Sequence, residues 1–317
     1  MNGTLPNTLK VPGQTTVTML LSKHIQVWKE NLSLAGVQFA GEPDADSSVN
    51  LIVAHVLGSK MKNVTDMNFI PSECTQRKIE EMCKERMKRK PVQYIIGEWT
   101  FHDMTLEMRP PVFIPRRTTE DFASIIVNEW SLEHEQTGRF LEIGCGTGAV
   151  SLYILRKLPN VKCVVVDKNE IACKLTVANA TRYNLEERIH VIHGDILQDR
   201  VISELSRCGP YNVLVSNPPS MSTDKMRSFG PELEYEDLDA IYAGTDGLDI
   251  IRRILAISHT LLYDNLSFVW LEMGEPERIK GLLESHHEIR LSYMETFKDF
   301  RGRDRCCKLQ LNDAQTV

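Results

Sequence analysis

The 317-residue chain lacks the cysteine patterns of a disulfide framework or a structural zinc site. Its eight cysteines are scattered, none of them form a C-x-x-C pair, and Cys306 and Cys307 are adjacent. Small secreted domains and structural zinc sites both depend on regularly spaced cysteines. The pattern therefore predicts reduced thiols in an intracellular protein, and no metal site.

The chain also lacks a long apolar run and an excess of positive charge. No uninterrupted apolar stretch reaches the roughly 20 residues that a membrane-crossing helix needs. The formal net charge is −6 at pH 7, whereas a sequence-independent nucleic-acid surface usually carries basic excess. We therefore expect no membrane segment and no direct nucleic-acid partner, and we interpret the basic run KERMKRK at 84–90 as a solvated helix end.

Residues 1–29 contain neither an acidic residue nor an arginine, and they are rich in threonine. A mitochondrial transit segment is poor in acidic residues but is normally rich in arginine, so the signature is incomplete. We predict a flexible tail over 1–16 that could serve as a targeting segment. The predicted location is the mitochondrion, with the cytoplasm as the alternative.

Helical periodicity dominates the first ninety residues. The first predicted helix presents Val17, Leu20, Leu21, His24, Val27, Trp28 and Leu32 on one face. A second is predicted over DSSVNLIVAHVLG, capped by Asp46 or Ser47 and stopped by Gly58. A third covers SECTQRKIEEMCKERMKRK and ends before Pro91. Residues 17–92 are therefore predicted to form a small all-helical domain.

The pattern changes after residue 92. QYIIGEWTFHDMTLEMRPPVFIP alternates apolar and polar residues as hairpin strands do, so 93–112 is assigned to a β-hairpin connector. Short β-branched runs then alternate with helical patterns. The runs, which are predicted strands, are RFLEIG, VKCVVVD, RIHVIHGD, YNVLVSN and LSFVWLE. Two later runs, EIRLSYMETF and RCCKLQLN, suggest an antiparallel edge. The fold class is therefore α/β, with helices on both faces of a mostly parallel sheet of seven strands over 113–317.

A glycine-rich loop, LEIGCGTGAV, follows the first strand of that sheet. Gly144, Gly146 and Gly148 alternate, which allows a tight turn and close backbone approach to a ligand. Asp167 and Asp195 end the next two strands. Because the carboxyl ends of parallel strands share one rim, these groups should meet at a single ligand site.

Two adenosine-containing ligands fit this loop. A loose dinucleotide fingerprint, G-x-G-x-x-A, begins at Gly144, and with either ligand Asp167 would accept hydrogen bonds from two ribose hydroxyls. Glu142 suits a cationic sulfonium with an amino-acid tail better than a pyrophosphate, and Asp195 could hold an adenine amine. We therefore predict S-adenosylmethionine and keep the dinucleotide as the alternative.

The fourth strand ends abruptly in Asn217-Pro218-Pro219-Ser220. Two prolines supply no ladder donors, so they stop a central strand and stiffen the loop. A planar amide or aromatic amine is a poor nucleophile, and the Asn217 side-chain oxygen and Pro218 carbonyl could accept its two hydrogens. The motif predicts methyl transfer to such a nitrogen, with Asn217 and Pro218 as catalytic residues. The alternative is a turn without a catalytic role.

Taken together, these segments resemble the release-factor glutamine methyltransferases, the HemK or PrmC family, over nearly the whole chain. The matching segments are KPVQYIIGEWTFHDMTLEMRPPVFIPR, LEIGCGTGAVSL, VSNPP, EYEDLDAIYAGTDGLDIIRRIL and KDFRGRDR. The resemblance implies a seven-stranded Rossmann-like class I methyltransferase domain, preceded by a small all-helical domain that recognises the substrate. The implied reaction is methylation, by S-adenosylmethionine, of the glutamine side-chain amide in the Gly-Gly-Gln loop of a peptide chain release factor. The helical unit favours the bacterial and organellar type.

The resemblance also implies roles for individual residues. The donor would be bound by Glu142, Gly144, Cys145, Gly146, Thr147, Gly148, Asp167, Asp195, Ile196 and Asn217. The substrate glutamine would lie against Asn217, Pro218, Pro219 and Ser220.

Four positions depart from the family pattern. Ser220 replaces a tyrosine, Arg117 and Thr118 replace a proline and an acid, and Ala243 replaces a glycine. These departures suggest a first alternative, a methyltransferase-fold protein that binds the donor or a release factor but turns over weakly. A second is a nucleic-acid adenine methyltransferase, which the acidic balance disfavours, as does Ser220, because serine cannot stack on adenine.

Overall fold

The computed structural model describes residues 19–58, 67–133, 137–226 and 230–312, so the predicted tail over 1–16 lies outside the described residues. The chain divides into two compact units, Met1–Ile96 and Gly97–Val317. None of the helices in the described ranges is both long enough and apolar enough to cross a membrane.

The first unit is mainly helical. Its elements are α1 (Leu21–Leu34), β1 (Gln38–Phe39), β2 (Glu42–Pro43), α2 (Ala45–Leu57), α3 (Glu73–Met87) and α4 (Val92–Ile96). The short antiparallel hairpin β1–β2 was not predicted. Its turn residues Ala40 and Gly41 have φ of 52° and 83°, and alanine is not the residue that signals such a turn.

Two details of the predicted helices are wrong. Val27 is 38% exposed, and Ile25 is buried on the core face of α1 instead. Asp44, rather than Asp46 or Ser47, is the residue that precedes α2, and its carboxylate accepts a hydrogen bond of 2.5 Å from the Ser48 hydroxyl. Each observed residue lies within one helical turn of the predicted one. Errors of this size arise because a local pattern does not fix which side chain a neighbouring segment covers.

The basic run at 84–90 is not simply a solvated helix end. Arg86 is fully buried, and its guanidinium donates to the Ser48 hydroxyl at 2.9 Å and the Gln38 carbonyl at 2.7 Å. It also forms an ion pair with Asp44 at 3.3 Å. Arg86 therefore ties α3 to α2 and the hairpin from inside the unit.

The segment QYII was predicted to begin the connector hairpin, but Val92–Ile96 is the helix α4. The Pro91 carbonyl accepts from the backbone nitrogens of Tyr94 and Ile95, at 3.1 and 3.2 Å. Proline suits the first position of a helix because its fixed φ is close to that of a helical residue. The N–H that proline lacks would have no partner within the helix at that position. The hairpin itself consists of β3 (Glu98–Phe101) and β4 (Met104–Glu107).

The second unit alternates strands and helices as predicted. After the hairpin come α5 (Arg117–Glu133), β5 (Thr137–Ile143), α6 (Ala149–Lys157), β6 (Asn160–Asp167), α7 (Glu170–Arg182), β7 (Ile189–His193), α8 (Asp199–Cys208), β8 (Val213–Ser216), α9 (Thr223–Met226), α10 (Asp249–Leu261), β9 (Phe268–Glu272), α11 (Arg278–Ser285), β10 (Leu291–Lys298) and β11 (Asp304–Leu311). The helices α5, α8, α9 and α11 were not predicted.

Seven strands form one sheet in the order β10-β11-β9-β8-β5-β6-β7. β5 to β9 pair in parallel, and β11 pairs antiparallel with both β9 and β10, which confirms the predicted antiparallel edge. Successive side chains of one strand enter different cores: Phe140 belongs to one apolar cluster and Leu141 to another. Both faces of the sheet are therefore covered by helices.

The order of the strands fixes where a ligand can bind. β5 lies between β6 and β8, so the chain leaves β5 on one side and returns on the other. In such open sheets the ligand cleft forms where the order reverses, at the carboxyl ends of the strands.

Candidate active site

A cleft of about 1080 Å³, part of it open to solvent, lies at the carboxyl ends of β5 to β8. Predicted site residues that line it are Glu142, Gly144, Cys145, Gly146, Thr147, Asp167, Asp195, Ile196, Asn217, Pro218 and Pro219. Gly148 and Ser220 do not line it. Four strand ends that are far apart in sequence therefore meet around one space.

The glycine loop offers open backbone to this cleft. Gly144 and Gly146 have φ of 79° and 54°, and a Cβ at either position would have no atom within 4 Å. Thr147 is buried, and its hydroxyl oxygen has no hydrogen-bond partner among the described residues. A ligand seated on the loop would satisfy that hydroxyl, so the loop fits an adenosine-containing donor.

Gly148 has a structural role in packing. Its φ is 80°, and a Cβ there would lie 3.0 Å from Thr176 Cγ2 and 3.2 Å from Leu152 Cδ1. Thr176, on α7, in turn supports the loop by donating to the Gly146 carbonyl at 3.0 Å and the Cys145 sulfur at 3.4 Å. The absence of a side chain at Gly148 therefore lets α6 begin directly against α7.

The Asp167 carboxylate is held at the end of β6. It accepts backbone hydrogen bonds of 2.9 Å from Gly146 and Asn169. Burial raises the pKa of this carboxyl above its ordinary value, although those two bonds lower it. The group is thus fixed at the floor of the cleft as an acceptor, as contacts to ribose hydroxyls require.

Glu142 lies on β5 beneath the loop and is almost fully buried. Its carboxylate accepts hydrogen bonds from the Ser151 hydroxyl and from the Ser151 backbone nitrogen in the first turn of α6. Burial raises its pKa to about 8, and the nearby Asp167 also raises it. A cation in the cleft would favour the ionised carboxylate, so this acid is suited to a positively charged ligand.

Asp195 and Ile196 follow β7. One Asp195 carboxylate oxygen accepts from the Leu197 backbone nitrogen at 2.9 Å, which fixes the turn. The Ile196 carbonyl accepts from Arg253 at 2.9 Å, so that carbonyl is already engaged, while Ile196 still lines the cleft. Both residues are positioned by the local backbone at the rim of the sheet.

Motif reasoning missed two further acids that line the cleft. Asp237 accepts from the Asn169 side chain at 2.6 Å, and Asp239 forms an ion pair with Lys168 at 2.7 Å. Both lie in the quoted segment EYEDLDAIYAG, whose run of acids was the available signal. The cleft lining thus carries five carboxylates and one lysine, which favours a cation over a pyrophosphate or a nucleic-acid backbone.

Asn217 follows β8 and is half-buried. Its side-chain nitrogen donates to the Thr119 hydroxyl at 3.3 Å. Thr119, in the first turn of α5, is buried and also lines the cleft. Because the nitrogen is engaged by Thr119, the amide oxygen is the group that remains to accept a hydrogen bond from a substrate.

The loop after Pro219 is fixed by backbone pairing. Met221 donates to the Ile241 carbonyl at 3.0 Å and accepts from the Ala243 nitrogen at 3.1 Å. Ala243 is buried in this pairing. Ser220 therefore precedes a segment that cannot shift freely.

The other departures from the family pattern lie beside the cleft. The Arg117 side chain is 70% exposed, and its nearest acid, Glu120, is 3.6 Å away. Thr118 instead points inward, and its hydroxyl donates to Glu272 at 2.7 Å. Burial raises the pKa of Glu272 to about 7.

Comparison with known proteins agrees with this geometry. Residues 30–97 match the model of the PrmC N-terminal domain, and residues 103–229 match that of the methyltransferase small domain. The human protein "MTRF1L release factor glutamine methyltransferase" is 39% identical over 279 residues, which are 84% of this chain and 81% of that protein. The chain belongs to the release factor glutamine methyltransferase family.

Another release factor glutamine methyltransferase, from Thermodesulfovibrio yellowstonii, is 29% identical over 82% of this chain and 90% of that protein. Among solved structures, this chain is similar to a ribosomal protein L11 methylase from Lactobacillus delbrueckii subsp. bulgaricus, with 11% identity and a TM-score of 0.44. The match covers 63% of this chain and 81% of that protein's chain. The predicted family and the α/β fold with a seven-stranded sheet are confirmed. The roles of individual site residues stay predictions.

Proposed function

We propose that this release factor glutamine methyltransferase transfers a methyl group from S-adenosylmethionine to the side-chain amide nitrogen of the glutamine in a release factor's Gly-Gly-Gln loop. The observation that carries the proposal is the orientation of Asn217. Its nitrogen is engaged by Thr119, and its oxygen remains as an acceptor in the cleft that the glycine loop also lines. A glutamine amide offers the two N–H hydrogens that such a site can accept.

The donor side is provided by the glycine loop and the acids around it. Gly144, Gly146 and the Thr147 hydroxyl would bind the donor from one side, and Asp167 would accept from its ribose. S-adenosylmethionine supplies a methyl group on a cationic sulfonium. The excess of carboxylates in the cleft favours binding of the cationic donor over binding of the neutral product that remains after transfer. This difference helps product release.

The acceptor side activates a poor nucleophile by position. Asn217 Oδ1 and the Pro218 carbonyl would accept the two amide hydrogens and turn the nitrogen lone pair towards the methyl. The nitrogen lone pair forms the new C–N bond, and the C–S bond breaks with its electrons remaining on sulfur. One N–H proton leaves to water.

The proposal is tested by methyl transfer to a release factor. The full chain is incubated with methyl-labelled S-adenosylmethionine and an organellar-type release factor, beside Asn217→Ala. We expect label in the factor with the wild type and at least about a hundredfold less with Asn217→Ala. If the donor binds in calorimetry but no label enters the factor, the chain is the weakly active alternative that Ser220 suggested.

We propose that residues 17–92 recognise the release factor and position it on the donor-binding unit. The match of 30–97 to the PrmC N-terminal domain supports this role. A chain lacking these residues should bind the donor with unchanged affinity and methylate the intact factor much more slowly. Unchanged methylation would contradict this assignment.

We also propose the mitochondrion as the location, on the acid-free composition of residues 1–29. The full chain with a fluorescent protein at its C-terminus should co-localise with a mitochondrial marker. Diffuse cytoplasmic fluorescence would favour the alternative location.

A further inference from the structure

Helix α7 binds two consecutive backbone carbonyls of the glycine loop. The Thr176 hydroxyl donates to the Gly146 carbonyl at 3.0 Å, and the Asn179 side-chain nitrogen donates to the Thr147 carbonyl, also at 3.0 Å. Residues three apart on a helix lie on the same face, so the two side chains approach the loop side by side. Both are fully buried, so water does not compete for these hydrogen bonds.

Asn179 binds the connector hairpin at the same time. Its side-chain oxygen accepts from the Glu107 backbone nitrogen at 2.7 Å, and its nitrogen donates to the Glu107 carbonyl at 3.2 Å. Glu107 is the last residue of β4, and the Asn179 amide pairs with it as a residue of a neighbouring strand would. One buried side chain therefore joins the hairpin, α7 and the glycine loop.

The residue type at 179 matches these three hydrogen bonds. The partners are one N–H and two carbonyls, so they require one acceptor and two donors. An amide side chain carries both kinds of group, whereas a hydroxyl has one hydrogen and an ionised carboxylate has none. Asparagine at this position is therefore suited to bind the hairpin and the loop together.

The direction of the loop carbonyls decides which groups the loop offers to a ligand. A trans peptide points its C=O and its N–H in opposite directions, so the Thr147 N–H is directed away from α7 when the Gly146 carbonyl is directed towards it. Thr147 lines the cleft, and its buried hydroxyl has no partner among the described residues. Two donors of Thr147 are thus fixed in place for an acceptor on the ligand, such as the carboxylate of S-adenosylmethionine.

We propose that Asn179 and Thr176 are positioning residues that preorganise the glycine loop for S-adenosylmethionine. Neither side chain lines the cleft, so they act through the loop and not on the donor itself. The inference rests on the proposed function, because it concerns how the donor of that reaction is bound. A loop that is already ordered loses less conformational freedom when the donor binds, so the two residues lower the donor Kd.

Tyr183, which directly follows α7, provides a matched comparison. Its hydroxyl donates to the Thr105 carbonyl at 3.0 Å and accepts from the Thr105 backbone nitrogen at 2.6 Å. Tyr183 thus binds β4 in the way that Asn179 does, but among the described residues its hydroxyl bonds the hairpin alone. Removing this hydroxyl loosens the hairpin and leaves both loop carbonyls bound to α7.

The test measures the Kd of S-adenosylmethionine by calorimetry for the full chain and four variants. Asn179→Leu has a similar size and no charge but loses the amide, and Thr176→Val keeps the shape of threonine but loses the hydroxyl. Each should weaken donor binding by about fivefold to tenfold, as expected for the loss of one hydrogen bond that orders the loop. Thr176→Ser keeps the hydroxyl and Tyr183→Phe removes hairpin bonds only, so both should stay within about twofold of the wild-type Kd.

The comparison of Kd with kcat separates preorganisation from a merely structural role. At saturating donor and release factor, the kcat of Asn179→Leu and Thr176→Val should stay within about threefold of the wild type, because the bound donor orders the loop. Asn179→Leu and Tyr183→Phe should both unfold at a lower temperature, since each leaves the N–H and C=O of one β4 residue unpaired. Of these two variants, Asn179→Leu alone should bind the donor more weakly.

The outcomes distinguish this inference from the proposed function. A wild-type donor Kd in Thr176→Val would overturn the inference, as would an equal rise in Kd for Tyr183→Phe and Asn179→Leu. If Asn179→Leu does not fold, Thr176→Val and its rescue by Thr176→Ser still decide the matter. The proposed function fails by a different result, namely a wild-type chain that binds the donor but leaves the release factor unmethylated.

Discussion

At the scale of single residues, we predict that Ser220 limits how well the substrate amide is enclosed, although it does not line the cleft itself. The family places a tyrosine there, and an aromatic contact contributes about 0.5–1.5 kcal/mol beyond its buried area. Ser220 is half-buried and is followed by the fixed pairing of Met221 with Ile241 and Ala243. We predict that Ser220→Tyr raises kcat by up to about tenfold, measured as methyl transfer at saturating donor.

The control for that prediction is Ser206→Tyr, which adds the same ring at an exposed position of α8. It should not change kcat. An unchanged kcat in Ser220→Tyr as well would mean that serine is tolerated and that other residues cover the amide.

We predict that Glu142 couples donor binding to pH. Burial raises its pKa from 4.5 to about 8 in the folded protein. Since the folded state holds this proton more tightly than the unfolded chain, the resulting stability is fully present below pH 4.5 and is lost as pH rises towards 8. A cationic donor favours the ionised form, so binding at neutral pH should release close to one proton.

The proton release is measured by calorimetry of S-adenosylmethionine binding in two buffers that differ in ionisation enthalpy. The apparent binding enthalpy should differ between the buffers for the wild type and agree for Glu142→Gln. Identical wild-type enthalpies in both buffers would show that Glu142 does not change its protonation on binding.

At the scale of elements, the loop after β8 is shaped by a glycine nearly thirty residues away. Gly247 has a φ of 77°, and a Cβ there would lie 2.5 Å from the Ser220 carbonyl oxygen. Because the clash is with backbone, Gly247→Ala must move the loop that carries Asn217. We predict at least about a tenfold loss of kcat with a smaller effect on donor Kd, since positioning is most sensitive in the transfer step.

The matched control is Gly281→Ala in α11, where a Cβ would have no atom within 4 Å. That change should leave activity unaffected and stabilise the protein by up to about 1 kcal/mol, because alanine favours a helix interior. A wild-type kcat in Gly247→Ala would show that the loop can adjust.

Local sequence patterns were sufficient for much of the sheet and the donor loop. The parallel strands are short β-branched runs bounded by glycine, proline or aspartate, and such runs predict buried strands. Asp167 and Asn217 could be placed because each ends such a run. The helices α5, α8, α9 and α11 were not predicted. QYII was taken for a strand because short apolar segments are ambiguous between helix and strand.

Contacts between distant segments could not be predicted from those patterns. Thr119 and Asn217 are 98 residues apart in the chain, and nothing local to either reveals the other. Arg86 is another case: its basic neighbours suggested a solvated helix end, while Ser48, Gln38 and Asp44, which accept its hydrogen bonds, lie 38 to 48 residues earlier. Long-range hydrogen bonds of this kind are set by packing.

At the scale of the whole molecule, the predicted donor and acceptor residues all belong to the unit Gly97–Val317, while Met1–Ile96 has its own apolar core. The buried Arg86 of that first unit depends on Asp44. Asp44→Ala removes this buried ion pair and should cost about 3 kcal/mol of that unit's unfolding free energy. Donor Kd should not change.

Hydrogen exchange of the full chain, read peptide by peptide, checks this prediction. Faster exchange should be confined to peptides of the first unit. Asp46→Ala is the control, because its ion pair with Lys29 is largely exposed on the aspartate side and such pairs contribute about 1 kcal/mol or less. Equal effects of the two substitutions would contradict the special role of Arg86.

The identity of the methylated atom is settled by the mass spectrum of the release factor's Gly-Gly-Gln peptide after reaction with the full chain and S-adenosylmethionine. We predict a gain of one methyl, located by fragmentation on the glutamine side chain and missing when Asn217→Ala replaces the wild type. An unmodified glutamine, or a methyl on any other residue, from a chain that binds the donor would contradict the proposed reaction.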